Sequence, residues 1–168
     1  MKSKVQLSKF AYFLTISIII ILIICCVSMF HETPEFWIVF GILLLLLFLG
    51  LLYGPTQIIA NRDYIIVKTY FLKHKILVSD IESVELFQPT LVSIRLFASG
   101  GYFGYLGLFR DGYIGTYAGY YGKATDCFLV RMKNGGKYVL GCENPDIMVN
   151  FINSVINKES ISVDMQNH

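Results

Sequence analysis

Two long stretches without a charged residue, 10–30 and 36–53, constrain this chain more than any other feature. The first holds 21 residues around 18–24, where every residue is Ile or Leu. As a helix it would extend roughly 31 Å, enough to cross the hydrocarbon core of a bilayer. The second runs through five consecutive leucines at 43–47 and would reach roughly 27 Å. Composition agrees, with 55% apolar and only 15% charged residues, against ~25% charged in ordinary soluble domains. Disordered, collagen-like and disulfide-stapled chains are excluded. Fourteen Lys+Arg against 12 Asp+Glu leave a formal +2, without the basic excess of a nucleic-acid binder, so no nucleic-acid partner is expected.

Between the stretches lie only His31, Glu32, Thr33, Pro34 and Glu35, so the spans must turn straight back as a transmembrane hairpin. Lys2, Lys4 and Lys9 precede the first span, and Arg62, Lys68, Lys73 and Lys75 follow the second. Basic flanks stay on the cytoplasmic side, which makes the chain multi-pass with both termini cytoplasmic and 31–35 outside. Trp37 and Tyr53 suit the two interfaces. A cleaved signal peptide would share the basic flank and apolar run, but no small-x-small cleavage site follows. Two isoleucines before Cys25 likewise do not suit a lipoprotein signal, and Cys25 and Cys26 read as apolar helix residues. Gly50 and Gly54 form one small-xxx-small pair, which serves hairpin closure as well as a homo-oligomer.

The expected organisation is a cytoplasmic N-terminus at 1–9, spans at 10–30 and 36–53, a domain at 56–157 and a loose polar tail at 158–168. The fold class is α+β with membrane helices. In the domain, Thr56 to Ala60, Tyr64 to Tyr70, Ile76 to Val78 and Ser83 to Leu86 carry strand composition or alternation. Lys73-His74-Lys75 reads as a basic turn. Phe128 to Met132 and Lys137 to Gly141 flank Asn134-Gly135, the sequence of a two-residue hairpin turn. Asn144, Pro145 and Asp146 mark a helix start. Met148, Phe151, Ile152 and Val155 then give that helix one apolar face. About seven strands and a final helix predict a curved antiparallel sheet or open barrel with the helix packed on its end.

Four segments, 61–68, 81–85, 95–107 and 142–146, resemble the bacterial pleckstrin-homology (PH-like) domain proteins, in the subgroup with a two-helix membrane hairpin ahead of the domain. The Gly100-Gly101-Tyr102-Phe103-Gly104 tract is the most specific of these. The resemblance implies an antiparallel PH-like β-barrel or sandwich capped by a C-terminal α-helix, in the inner membrane of a bacterium. It implies no established activity.

Residues 100–122 contain eight glycines and eight aromatics. Glycines allow sharp bends and close strand approach while aromatics cover them, which is a structural reason for such a tract. A functional reading makes Tyr102, Phe103, Tyr105 and Phe109 contacts for headgroups or a membrane-protein partner. The glycine spacing is not a dinucleotide or phosphate-loop motif. Lys68, Lys73 and Lys75 resemble the basic first hairpin with which some eukaryotic PH domains hold phosphoinositides, although no arginine ends the run. A solvated basic flank beside an anionic leaflet is the favoured reading of them. Cys127 and Cys142, fifteen residues apart with no histidine nearby, form no zinc pattern and read as buried thiols. The three histidines, His31, His74 and His168, offer no catalytic triad, and the carboxylates are scattered. The chain is therefore expected to be a non-enzymatic module without metal or cofactor, its partners membrane lipids or a membrane protein.

Overall fold

A computed structural model describes residues 1–27, 34–89, 93–100 and 104–166. Its first element is one the sequence did not announce. Lys2–Lys4 forms a short strand, β1, ahead of the helix α1, Lys9–Val27. Ser8 caps α1, its Oγ accepting the Ala11 N–H at 3.1 Å and its carbonyl the Tyr12 N–H at 3.1 Å. The second helix, α2, spans Pro34–Tyr53 with proline at its first position. Of the α1 side chains only Ala11 and Leu22 are buried. On α2, Trp37, Ile38 and Phe48 stand 57%, 63% and 55% exposed. The 19-residue α1 is long and apolar enough to cross a membrane. The loop expected at 31–35 lies mostly outside the described residues.

Nine further strands follow: β2 Pro55–Ala60, β3 Tyr64–Thr69, β4 Lys73–Leu77, β5 Ile81–Leu86, β6 Ile94–Gly100, β7 Tyr105–Asp111, β8 Gly115–Tyr121, β9 Cys127–Met132 and β10 Lys137–Gly141. They form two sheets, ordered β1-β2-β3-β4 and β5-β9-β10-β8-β7-β6, which do not close into one hydrogen-bonded barrel. The domain thus has more strands than the seven expected, because β6, β7 and β8 form a three-stranded meander. One pairing, β8 with β10, is parallel within an otherwise antiparallel arrangement. A 3-10 turn at Val78–Asp80 carries the chain from one sheet to the other.

Alternation decides the packing. Ile65, Val67 and Thr69 of β3 point inward and are buried, whereas Tyr64, Ile66 and Lys68 are half-buried on the outer side. Ile65 and Val67 join Ile58, Ile76, Phe128, Val130 and Leu140 in the main core. The helix α3, Pro145–Gln166, closes this core with Met148, Val149 and Ile152, and Asn153 donates its side-chain amide to the Val84 carbonyl at 3.1 Å. Strand β9 is buried on both faces rather than half-wet, since Cys127 and Leu129 enter a second core with Phe109, Tyr117, Tyr121 and Val139.

Two local expectations need correction. Asn134 and Gly135 sit in a wider loop at 133–136, where Met132 N–H bonds the Gly136 carbonyl and Asn134 Oδ1 takes the Gly136 N–H. The tail expected to be loose from 158 is helical to Gln166, because neither glycine nor proline follows Pro145 to end α3.

Candidate functional site

The first candidate surface begins with strand register. Lys68 lies directly opposite Lys73, and Lys75 opposite Ile66. Since side chains alternate, Lys68, Lys73 and Lys75 share the outer face of the first sheet, whereas His74 turns the other way. The His74 ring stacks on Tyr120, centroids 5.7 Å apart, and approaches Tyr138 at 5.6 Å. The supposed basic turn is therefore a strand, β4. The true turn is Tyr70-Phe71-Leu72, held by Thr69, whose N–H donates to the Leu72 carbonyl at 2.9 Å and whose Oγ1 accepts the Leu72 N–H at 2.8 Å.

Strand β1 enlarges this face. Lys4 pairs with Gln57, itself opposite Lys68, and Lys2 pairs with Ile59, opposite Ile66. Two rows result, Lys4-Gln57-Lys68-Lys73 and Lys2-Ile59-Ile66-Lys75. No Asp or Glu occurs on any of the four strands. Lys75 Nζ lies 5.5 Å from the Tyr64 ring centroid, a cation–π contact beside the second row. Sequence reasoning missed Lys2 and Lys4 because a three-residue strand has too little alternation to be seen. It missed the Tyr70-Phe71-Leu72 turn because Tyr70 read as the end of a strand and the turn was placed at Lys73-His74-Lys75.

The glycine-aromatic tract divides differently. Phe109 is 2% exposed, stacked on Tyr117 with centroids 5.5 Å apart, and is removed from the contact set. Its ring is buried because Gly119 leaves room beneath it: a Cβ there would stand 2.8 Å from the ring. Tyr105 is half-buried, stacked on Tyr121 at 4.9 Å, with the Arg95 guanidinium 6.0 Å from its centroid. Gly104 and Gly107 occupy the left-handed region at φ +102° and +124°. Backbone bending and aromatic covering thus account for Gly104, Gly107, Gly119 and the Phe109, Tyr117 and Tyr121 rings, whereas Tyr113 and Leu108 stand exposed. Tyr102 and Phe103 lie outside the described residues.

The two buried thiols offer no nucleophile. Burial pushes Cys127 well above its ordinary range, with Asp126 adding to the effect, and burial also raises Cys142. Cys127 instead donates to the Lys123 carbonyl at 3.0 Å. Among the described residues no cluster of His, Cys, Asp and Glu could hold a metal.

The domain is stitched to the helix bases. Ser8 N–H bonds the Gly122 carbonyl at 3.0 Å, Val5 N–H that of Thr56 at 2.9 Å, and Glu143 N–H that of Lys4 at 2.9 Å. Residues 56–156 match the family described as Bacterial PH domain. No curated protein and no solved structure matches the chain.

Proposed function

Because the chain belongs to the bacterial PH domain family, we propose that it is a two-span membrane protein whose domain is a non-catalytic module that captures a protein partner at the cytoplasmic surface. PH domains in general are binding modules for lipids or proteins. The observation that carries the reading is the attachment of β1 to β2 and of Ser8 to Gly122, which fixes the domain at the base of α1 and α2. Exposed apolar side chains around both helices support a lipid environment for them.

For a protein partner, the supporting feature is β6. It ends its sheet, and Ile94 and Leu96 on it are 62% and 49% exposed, with Leu108 of β7 beside them at 46%. The one charged residue on β6, Arg95, lies over the Tyr105 ring, and a terminal strand of otherwise apolar and small residues is a template for strand addition. A photo-crosslinking residue at Leu96 in native membranes gives a discrete adduct, which Ile94→Lys abolishes. Absence of any adduct, or one indifferent to that change, removes this partner site. Topology is tested by Thr33→Cys in a Cys25→Ser, Cys26→Ser background, expected to be labelled from outside intact cells. Labelling only after permeabilisation reverses the orientation.

A further inference from the structure

We propose that the strand added to β6 is an extended protein segment alternating apolar and acidic residues, its acidic side chain held by Arg95, an inference that rests on the partner-capture reading above and narrows it. The choice of edge comes first. Four strands end the two sheets: β1, β4, β5 and β6. Lysines stand on β1 and β4, and the Glu143 N–H takes up the Lys4 carbonyl. α3 packs against β5, where the Asn153 amide occupies the Val84 carbonyl. Charge and cover of this kind discourage an added strand. β6 carries neither lysine nor carboxylate.

The two faces of β6 differ. Ile94 pairs with Arg110 and Phe97 with Leu108, so Ile94 and Leu108, both exposed, form an apolar shelf on one face. Every second residue of an added strand would rest there. Arg95 pairs with Phe109 on the opposite face. The register shift between Arg95 and Phe97 leaves Leu96 without a partner on β7, a bulge of the kind that re-aims a side chain. The Arg95 side chain borders a cavity of about 90 Å³ with Ser93, Tyr105, Phe109 and Tyr121. That is room for roughly three water molecules, or for the carboxyl end of one acidic side chain.

Charge then selects the segment. Arg95 and Arg110 are exposed, and neither belongs to the salt bridges of the described residues, Lys123–Asp126 and Arg131–Glu85. The single carboxylate on β6, β7 and β8 is Asp111, which is 2% exposed and accepts the Ser93 hydroxyl and the Tyr113 N–H, each at 2.9 Å. Opposite charges facing each other across a strand pair are favourable and like charges are not, which assigns an acidic residue to the position opposite Arg95. A lipid headgroup would meet the charge but has no backbone to pair with the edge. The β6 strand of a second copy would pair the edge but supplies no carboxylate.

The test uses the full chain in phosphatidylcholine vesicles, with a photo-crosslinking residue at Leu96 and short capped peptides as probes. One peptide alternates valine with glutamate, one alternates valine with lysine, and one holds the same valines and glutamates in two separate blocks. The alternating glutamate peptide is expected to give the strongest adduct. Arg95→Gln lowers its yield about fivefold. Arg95→Glu transfers the preference to the lysine peptide, a gain that misfolding cannot mimic. Equal adducts with all the peptides, or a glutamate preference that survives Arg95→Glu, overturn the inference. Native membranes keep the two readings apart: a Leu96 adduct indifferent to Arg95→Glu refutes only the acidic chemistry, whereas no adduct at all removes β6 as the partner site.

Discussion

At the scale of single residues, glycine positions carry the sharpest consequences. A Cβ on Gly122 would run into the Gln6 carbonyl and crowd Leu7, whereas one on Gly112 would meet nothing within 4 Å. Gly122→Ala should therefore cost about 1–3 kcal/mol, as overpacking does, and Gly112→Ala should stay within about 0.5 kcal/mol. Urea unfolding of the two variants measures both, and limited proteolysis should find the N-terminal segment freed only in the first. The sequence displays the density of glycines and aromatics in 100–122 but not which ring meets which backbone. The pairing of Phe109 with Gly119 follows from cross-strand register, which no local pattern contains. That is why Phe109, legible as an aromatic in a contact-prone tract, lies instead in a core.

Elements were legible where their own composition decides them. The β-branched run of β3, the proline start of α3 and both apolar helices follow from composition, run length and end signals. Strand β1 was not, because its strand character comes from a partner more than fifty residues away. Its register makes a direct prediction. Hydrogen bonds exchanged between Met1 and Ala60 place Lys4 and Gln57 in a pair whose side chains lie close. The double variant Lys4→Cys, Gln57→Cys should form a disulfide under mild oxidation, read by a gel-mobility shift that reductant reverses. The control Ser3→Cys, Gln57→Cys, one residue out of register, should not. Equal cross-linking in both would discard the register. The lysine face depends on this same pairing, so only Lys68, Lys73 and Lys75 could be singled out from sequence, and their common face could not.

For the whole molecule, an antiparallel strand-rich domain closed by one final helix was legible because strand composition, turn residues and the marked helix start agree with one another. Its division into two sheets and its second core were not, since they depend on which distant strands pair. That second core links stability to pH. Burial raises both Cys127 and Tyr121. Below the ordinary thiol value of 9.0 both groups are neutral whether folded or not, and the full stability is present. Above it the unfolded chain ionises first, so stability should fall progressively as the pH rises beyond about 9. Thermal melts of the intact protein across that range should show the decline, and Cys127→Ala should reduce its slope; an unchanged slope would acquit the thiol. The β1–β2 ladder, finally, acts as a parity rule. Two paired strands must occupy the same aqueous compartment, so if the chain between Lys4 and Pro55 enters a bilayer, it must cross an even number of times. Neither helix can insert alone without tearing that ladder apart, and any process that flips or stalls one helix must first unzip a sheet on the far side of the headgroups.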